Sequence, residues 1–141
     1  MRRQGQADPP GRLRSLADRD PTLVAAAVSW SRVAIGAVMV LAPRQATRPG
    51  LGARDASPDA VTAWRVAGAR DLALGLGALL AARHASPALR GWLEAGALAD
   101  AADVYAFGRD TAFRPLVRAG AVLAAAAGAT AGMWSARRLS G

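Results

Sequence analysis

Five ionisable residues stand where apolar side chains are expected. Arg32 is the midpoint of one apolar run, Arg70 and Asp71 lie inside a second, and Asp100 and Asp103 inside a third. Charges in such surroundings do one of two things. They pair across helices and fix helix order, or they line a polar cavity through which a proton, an ion or a small solute passes. Both uses need acids and guanidiniums at one level, so the spacing can be tested for it. If the second and third runs form a hairpin about residue 85, Arg70 and Asp100 are each fifteen residues from its centre and share a depth. Arg32 and Asp71 fall at the same level.

Helical angles assign partners. Arg70 and Asp71 are about 100° apart and must face different neighbours. The expected pairs are Arg70 with Asp100 and Arg32 with Asp71. Asp103 shares a face with Asp100, Gly96 and Phe107. It lies half a leaflet outward, toward Arg65, whose long stem can also reach the surface. Glu94 is on the opposite face, and its simplest partner is Arg90, four residues earlier. The polar network expected from the sequence is therefore Arg32, Arg65, Arg70, Asp71, Asp100 and Asp103.

Other chemistry is excluded or unsupported. There is no Cys and a single His, which removes disulfides, thiolate metal sites, Cys nucleophiles and His-rich metal sites. His84 adjoins Arg83 in a short connection and reads as a solvated loop residue. Pro49-Gly50-Leu51-Gly52 reads as a turn, since it lacks the Lys and helix start of a phosphate loop. No Ser, His and Asp set suggests a hydrolase. We expect no enzyme, no cofactor and no metal.

The elements that would carry the network are four apolar segments, at 22–42, 61–82, 88–107 and 115–136. Each is about the length that crosses roughly 30 Å of hydrocarbon as a helix. The connections 43–60, 83–87 and 108–114 read as loops. Residues 1–21 hold five Arg, three Asp and three Pro without apolar periodicity, and are expected to be a mobile basic tail. Residues 137–141 form a short C-terminal tail. The expected fold is all-α: a four-helix transmembrane bundle running up-down-up-down.

Hydropathy supports the four segments unequally. The fourth is uncharged from 119 to 136, and the first is interrupted only by Arg32. The second and third carry several charges, and one charge at the bilayer centre costs about 2.5–3.5 kcal/mol on insertion scales. The third would not insert alone and needs partners. Aromatic positions strengthen the membrane reading. Of seven aromatic residues, six (Trp64, Trp92, Tyr105, Phe107, Phe113 and Trp134) lie near helix ends, where interfaces are expected, and only Trp30 is deep.

The 18 basic residues are all Arg, and the net charge is +8. In a soluble chain that excess suggests nucleic acid. Beside a bilayer it suggests basic loops at anionic head groups. The Arg residues are scattered among loops without an aromatic–basic stripe, so a lipid bilayer is the expected partner and nucleic acid is not. Nine Arg on the side of the termini against six on the other favour both termini in the cytoplasm. A cleaved signal peptide is not expected, because the first run is long and holds an Arg. The abundance of Ala, Gly and Arg with no Lys or Asn points to a GC-rich bacterial genome. Gly120, Ala124, Gly128 and Gly132 repeat every four residues, a small-residue face that serves intramolecular packing or a homodimer seam.

The stretches GARDLALGLGALL (68–80) and ALADAADV (97–104), with Arg32, Gly36 and Pro43 in the first segment, resemble a family of small bacterial membrane proteins known as domain of unknown function 4267. The resemblance spans about residues 24–135. It implies four membrane helices and no established activity, so it brings no functional residues or substrate. On the sequence, the first expectation is a structural or accessory membrane protein. The alternatives are a small proton-coupled transporter or channel using Asp100 and Asp103, and a soluble basic helical protein that binds nucleic acid.

Overall fold

The computed structural model describes residues 20–46, 57–111 and 113–139. Of the basic tail expected over 1–21, residues 1–19 lie outside the described residues, as does the turn at 49–52, while Asp20 and Pro21 belong to the start of the first helix. Every regular element within them is helical. Four long helices follow in order: α1 (Pro21–Leu41), α2 (Pro58–Arg83), α3 (Ala88–Arg109) and α4 (Pro115–Arg138). They match the four apolar runs to within a few residues. The main shift is α2, which starts three residues early.

Local chemistry explains the starts. Three of the four helices open on proline, whose fixed φ and missing N–H suit the first turn. Asp20 caps α1 by accepting from the Thr22 backbone N–H at 2.8 Å, and Ser57 caps α2 by accepting from Ala60 N at 3.2 Å. Thr22 also donates its hydroxyl to Asp20. These bonds hold the exposed Asp20 carboxyl below the usual carboxylate range.

The stop of α2 is less conventional. Ser86 N–H donates to Ala81 C=O at 2.9 Å and Ala85 N–H to Ala82 C=O at 3.1 Å. This 6→1 and 5→2 pattern is a Schellman closure. Glycine normally takes its left-handed position, but here it is Ala85, with φ 46°. An L-residue pays about 1–2 kcal/mol for that conformation.

Packing divides the four helices into two intimate pairs, α1 with α2 and α3 with α4. The contacts of α2 with α3 and of α1 with α4 are lighter. Glycine makes the first pair close. A Cβ at Gly36 would come within 2.6 Å of the Gly68 carbonyl oxygen, and one at Gly75 within 2.7 Å of the Ser29 carbonyl oxygen. The α1–α2 contacts run in opposite chain directions: Gly68 faces Met39 and Val40, whereas Gly75 faces Ser29 and Arg32. Gly77 supports the indole of Trp92 across the α2–α3 boundary.

Burial is inverted relative to a water-soluble bundle. The buried positions are dominated by small residues: Ala25, Ala78, Ala81, Ala97 and Ala136, with Ser29, Ser135 and several glycines. Large apolar side chains point outward, including Leu23, Val66, Leu98, Leu116 and Leu123. Trp30, midway along α1, is 61% exposed. Helices α1 and α4 are long and apolar enough to cross a membrane.

The two ends of the assembly differ. At the end holding the start of α1 and the end of α4, Ala25, Leu93 and Ala136 form a tight cluster with Leu89 and Leu139 against it. Toward the other end the pairs part, leaving a cleft.

Candidate functional site: an ion chain lining a cleft

The cleft has a volume of about 600 Å³ and takes wall residues from all four helices. Its walls are largely alanine, with Ile35 and Met39 from α1, Trp64 from α2 and Phe107 from α3. Its lining also includes Arg32, Arg70, Asp71, Asp100 and Asp103. Five of the six residues expected to form a network are thus brought together.

They form one alternating chain of charge. Asp103 pairs with Arg70 through two parallel bonds, Nη2–Oδ2 at 2.6 Å and Nη1–Oδ1 at 3.1 Å. Arg70 also donates to Asp71 Oδ1 from Nε at 3.4 Å and from Nη2 at 3.3 Å. The same Asp71 oxygen accepts from Arg32 Nη1 at 3.3 Å. Arg32 Nη2 then donates to Asp100 Oδ2 and to the Gly96 carbonyl oxygen, the latter at 2.6 Å. The order Asp103, Arg70, Asp71, Arg32, Asp100 links three helices, with a carboxylate at each end.

The expected pair Arg32–Asp71 is present. Two other assignments need correction. Arg70 pairs with Asp103 and not with Asp100, and Asp100 pairs with Arg32. Side-chain lean explains the exchange. Helical side chains tilt toward their own N-terminus. Arg70 therefore leans toward the start of α2, which in an opposed neighbour is the level of Asp103. Asp100 leans the other way, toward the start of α3, where Arg32, leaning toward the start of α1, meets it. The second correction concerns Arg65. It is exposed and makes no ion pair with Asp103, whose carboxylate is taken by Arg70. Arg90 and Glu94 pair at 2.7 Å, apart from the chain.

Two residues essential to this geometry were not singled out by charge. The Arg32 guanidinium lies flat on Gly96, where a Cβ would sit 3.1 Å from Nε and Nη2. The Asp100 carboxylate fits against Gly128 of α4, where a Cβ would collide with Oδ2. Gly128 and Gly132 belong to the repeating small-residue face, and both are used inside the molecule. Gly132 faces Ala97 and the Leu93 carbonyl, whereas Gly120 meets nothing within 4 Å. The spacing of the glycines was visible in the sequence, but their task of making room for an ion pair was not.

The chain is graded in exposure. The Arg32 side chain is 9% exposed and the Arg70 side chain 36%. Three carboxylates against two guanidiniums leave one formal negative charge in the lining of the cleft. Among the described residues no group of three acidic or His ligands is arranged for a metal ion. His84 is exposed in the turn after α2. In comparisons with known proteins, no family model, no curated protein and no solved structure matches this chain.

Proposed function

We propose that this chain is a small integral membrane protein of the bacterial plasma membrane, with four helices crossing up-down-up-down and both termini in the cytoplasm. Its role in this reading is structural or accessory, and the ion chain acts as internal glue that lets the more polar helices α2 and α3 stay in lipid. The observation that carries it is the inverted burial: guanidiniums and carboxylates face inward while Leu, Val and Trp side chains such as Leu116, Leu123, Val66 and Trp30 face out. A soluble core helix would be largely enclosed, yet only 22% of the apolar stretch of α1 and 6% of that of α4 are buried. Exposed apolar area on this scale is costly in water and favoured in lipid.

Aromatic and basic groups at the helix ends support the same reading. Arg109 sits 5.5 Å from the Tyr105 ring centre near one end, and Arg138 sits 5.8 Å from that of Trp134 near the other. Such pairs suit head-group interfaces. The stretches at 68–80 and 97–104 resemble those of domain of unknown function 4267, and that resemblance implies the same four-helix topology. The test is alkaline carbonate extraction of membranes from expressing cells. Recovery in the pellet is expected, and release to the supernatant would return the chain to the soluble, nucleic-acid-binding class.

The cleft favours a second reading, a small proton-coupled transporter or channel using Asp100 and Asp103. A purely structural ion chain needs no space beside it, and this one has about 600 Å³. Proton-driven solute flux into proteoliposomes would be lost in the D100A/D103A double variant. Flux that survives unchanged in that variant ends this reading and leaves the membrane topology intact.

A further inference from the structure

We propose that the cleft binds one monovalent organic cation, a small quaternary or protonated amine with an apolar body. The proposal rests on reading the cleft as a solute site, and it names the class of solute. Three observations carry it.

The first is charge. The ion chain alternates and ends in carboxylates at both ends, so it carries one negative charge more than it neutralises. In low-dielectric surroundings a lone excess charge is strongly unfavourable, and one bound cation removes it. The second is the disposition of donors and acceptors. Arg32 donates to Asp71, Asp100 and Gly96, and Arg70 to Asp103 and Asp71, so both guanidiniums are engaged. Asp71 receives all its bonds on Oδ1 and Asp100 its bond on Oδ2. Asp71 Oδ2 and Asp100 Oδ1 have no donor among the described residues. Arg70 stays partly accessible, but Asp71 and Asp103 already offset its charge, so an anion meets a net negative charge here, whereas a cation finds carboxylate lone pairs.

The third is the wall. It is alanine, Ile35 and Met39, with Trp64 and Phe107 among the lining residues. Ring faces attract organic cations, and apolar walls suit an organic body. A bare inorganic cation needs about six oxygen ligands, and beyond carboxylates already bonded to guanidiniums the lining adds only the Ser31 hydroxyl among its neutral side chains.

Calorimetric titration of benzyltrimethylammonium into the detergent-solubilised full chain tests this, with benzenesulfonate as an anion of similar size. Saturable one-to-one binding of the cation alone is expected. D103N removes the excess charge and should weaken binding on the order of tenfold, while W64A, outside the ion chain, should weaken it several-fold. Thermal melts identify the variants that fold, and if D103N does not, W64A carries the comparison. Any one of three results overturns the proposal: no saturable cation binding by folded protein, equal binding of the anion, or unchanged affinity in the folded variants. Absence of cation binding leaves proton flux and carbonate extraction free to succeed, and cation binding without flux removes carriage but keeps the site.

Discussion

Around Arg32 the polar groups are enclosed; around Arg70 the same chemistry is half open. Arg32 is held by two carboxylates and a backbone carbonyl, with Gly96 under its guanidinium and Gly128 behind its partner Asp100. Arg70 makes a two-bond pair with Asp103, yet more than a third of its side chain remains accessible. Identical residue types therefore have different consequences. An enclosed ion pair is weak evidence of stabilisation as a pair, but losing one member strands the others. A half-open pair can be relieved by solvent or by the flexibility of its own stem.

The sharpest way to break this comparison is to remove each guanidinium in turn. R32A should cost about 3–5 kcal/mol of stability in detergent and R70A about 1–2 kcal/mol, read from chemical or thermal unfolding. Equal losses, or the reverse order, would mean that enclosure does not set the cost. Second in size are the glycines. G128A should push Asp100 away from Arg32 and destabilise by about 1–3 kcal/mol. On the same face of α4, G120A meets open space and should be neutral or gain about 0.5–1 kcal/mol from helix propensity. A similar response at both sites would show that the small-residue face acts through its backbone and not by sheltering the ion pair.

Much of this arrangement could be read from residue types alone. The helices were legible because long apolar runs are closed by proline, and three of the four begin on one. The membership of the ion chain was legible because charges in apolar runs must be compensated. The partners were less so. Counting residues from the middle of a hairpin locates Cα atoms, whereas ions meet at the tips of leaning side chains. This is why Arg70 reaches Asp103. Depth alone points Arg65 toward Asp103, and depth does not show that the Arg70 guanidinium occupies that carboxylate. The cleft was not legible, since it arises from unequal packing between helix pairs and no residue type signals that.

Two smaller effects bear on the outer frame of the comparison, away from the ions. A85G relieves the left-handed strain at the end of α2 and should stabilise by about 0.5–1 kcal/mol without moving either guanidinium. A loss of stability there would mean that the Ala85 methyl group makes a contact worth more than the strain. The smallest effect concerns Asp20. Its carboxyl is lowered in the folded state, so its contribution is present above the unfolded carboxylate range and is lost as pH falls through the folded value. Amide exchange at residues 22–24 should quicken under acid relative to the rest of α1. Uniform behaviour along the helix would remove the cap from the account.

The small size of the enclosed side chains has a consequence for how such a protein tolerates change. In an ordinary core, truncation opens holes and enlargement is the lesser concern. Here Ala25, Ala78, Ala97 and Ala136 have almost nothing to truncate, and backbones meet directly at Gly36 and Gly68. Sensitivity is therefore reversed: a single added methyl group wedges two helices apart, whereas shaving outward leucines barely registers in the packing. Conventional alanine scanning finds Arg32 but leaves the buried alanines untouched, and a scan that enlarges each residue would find them.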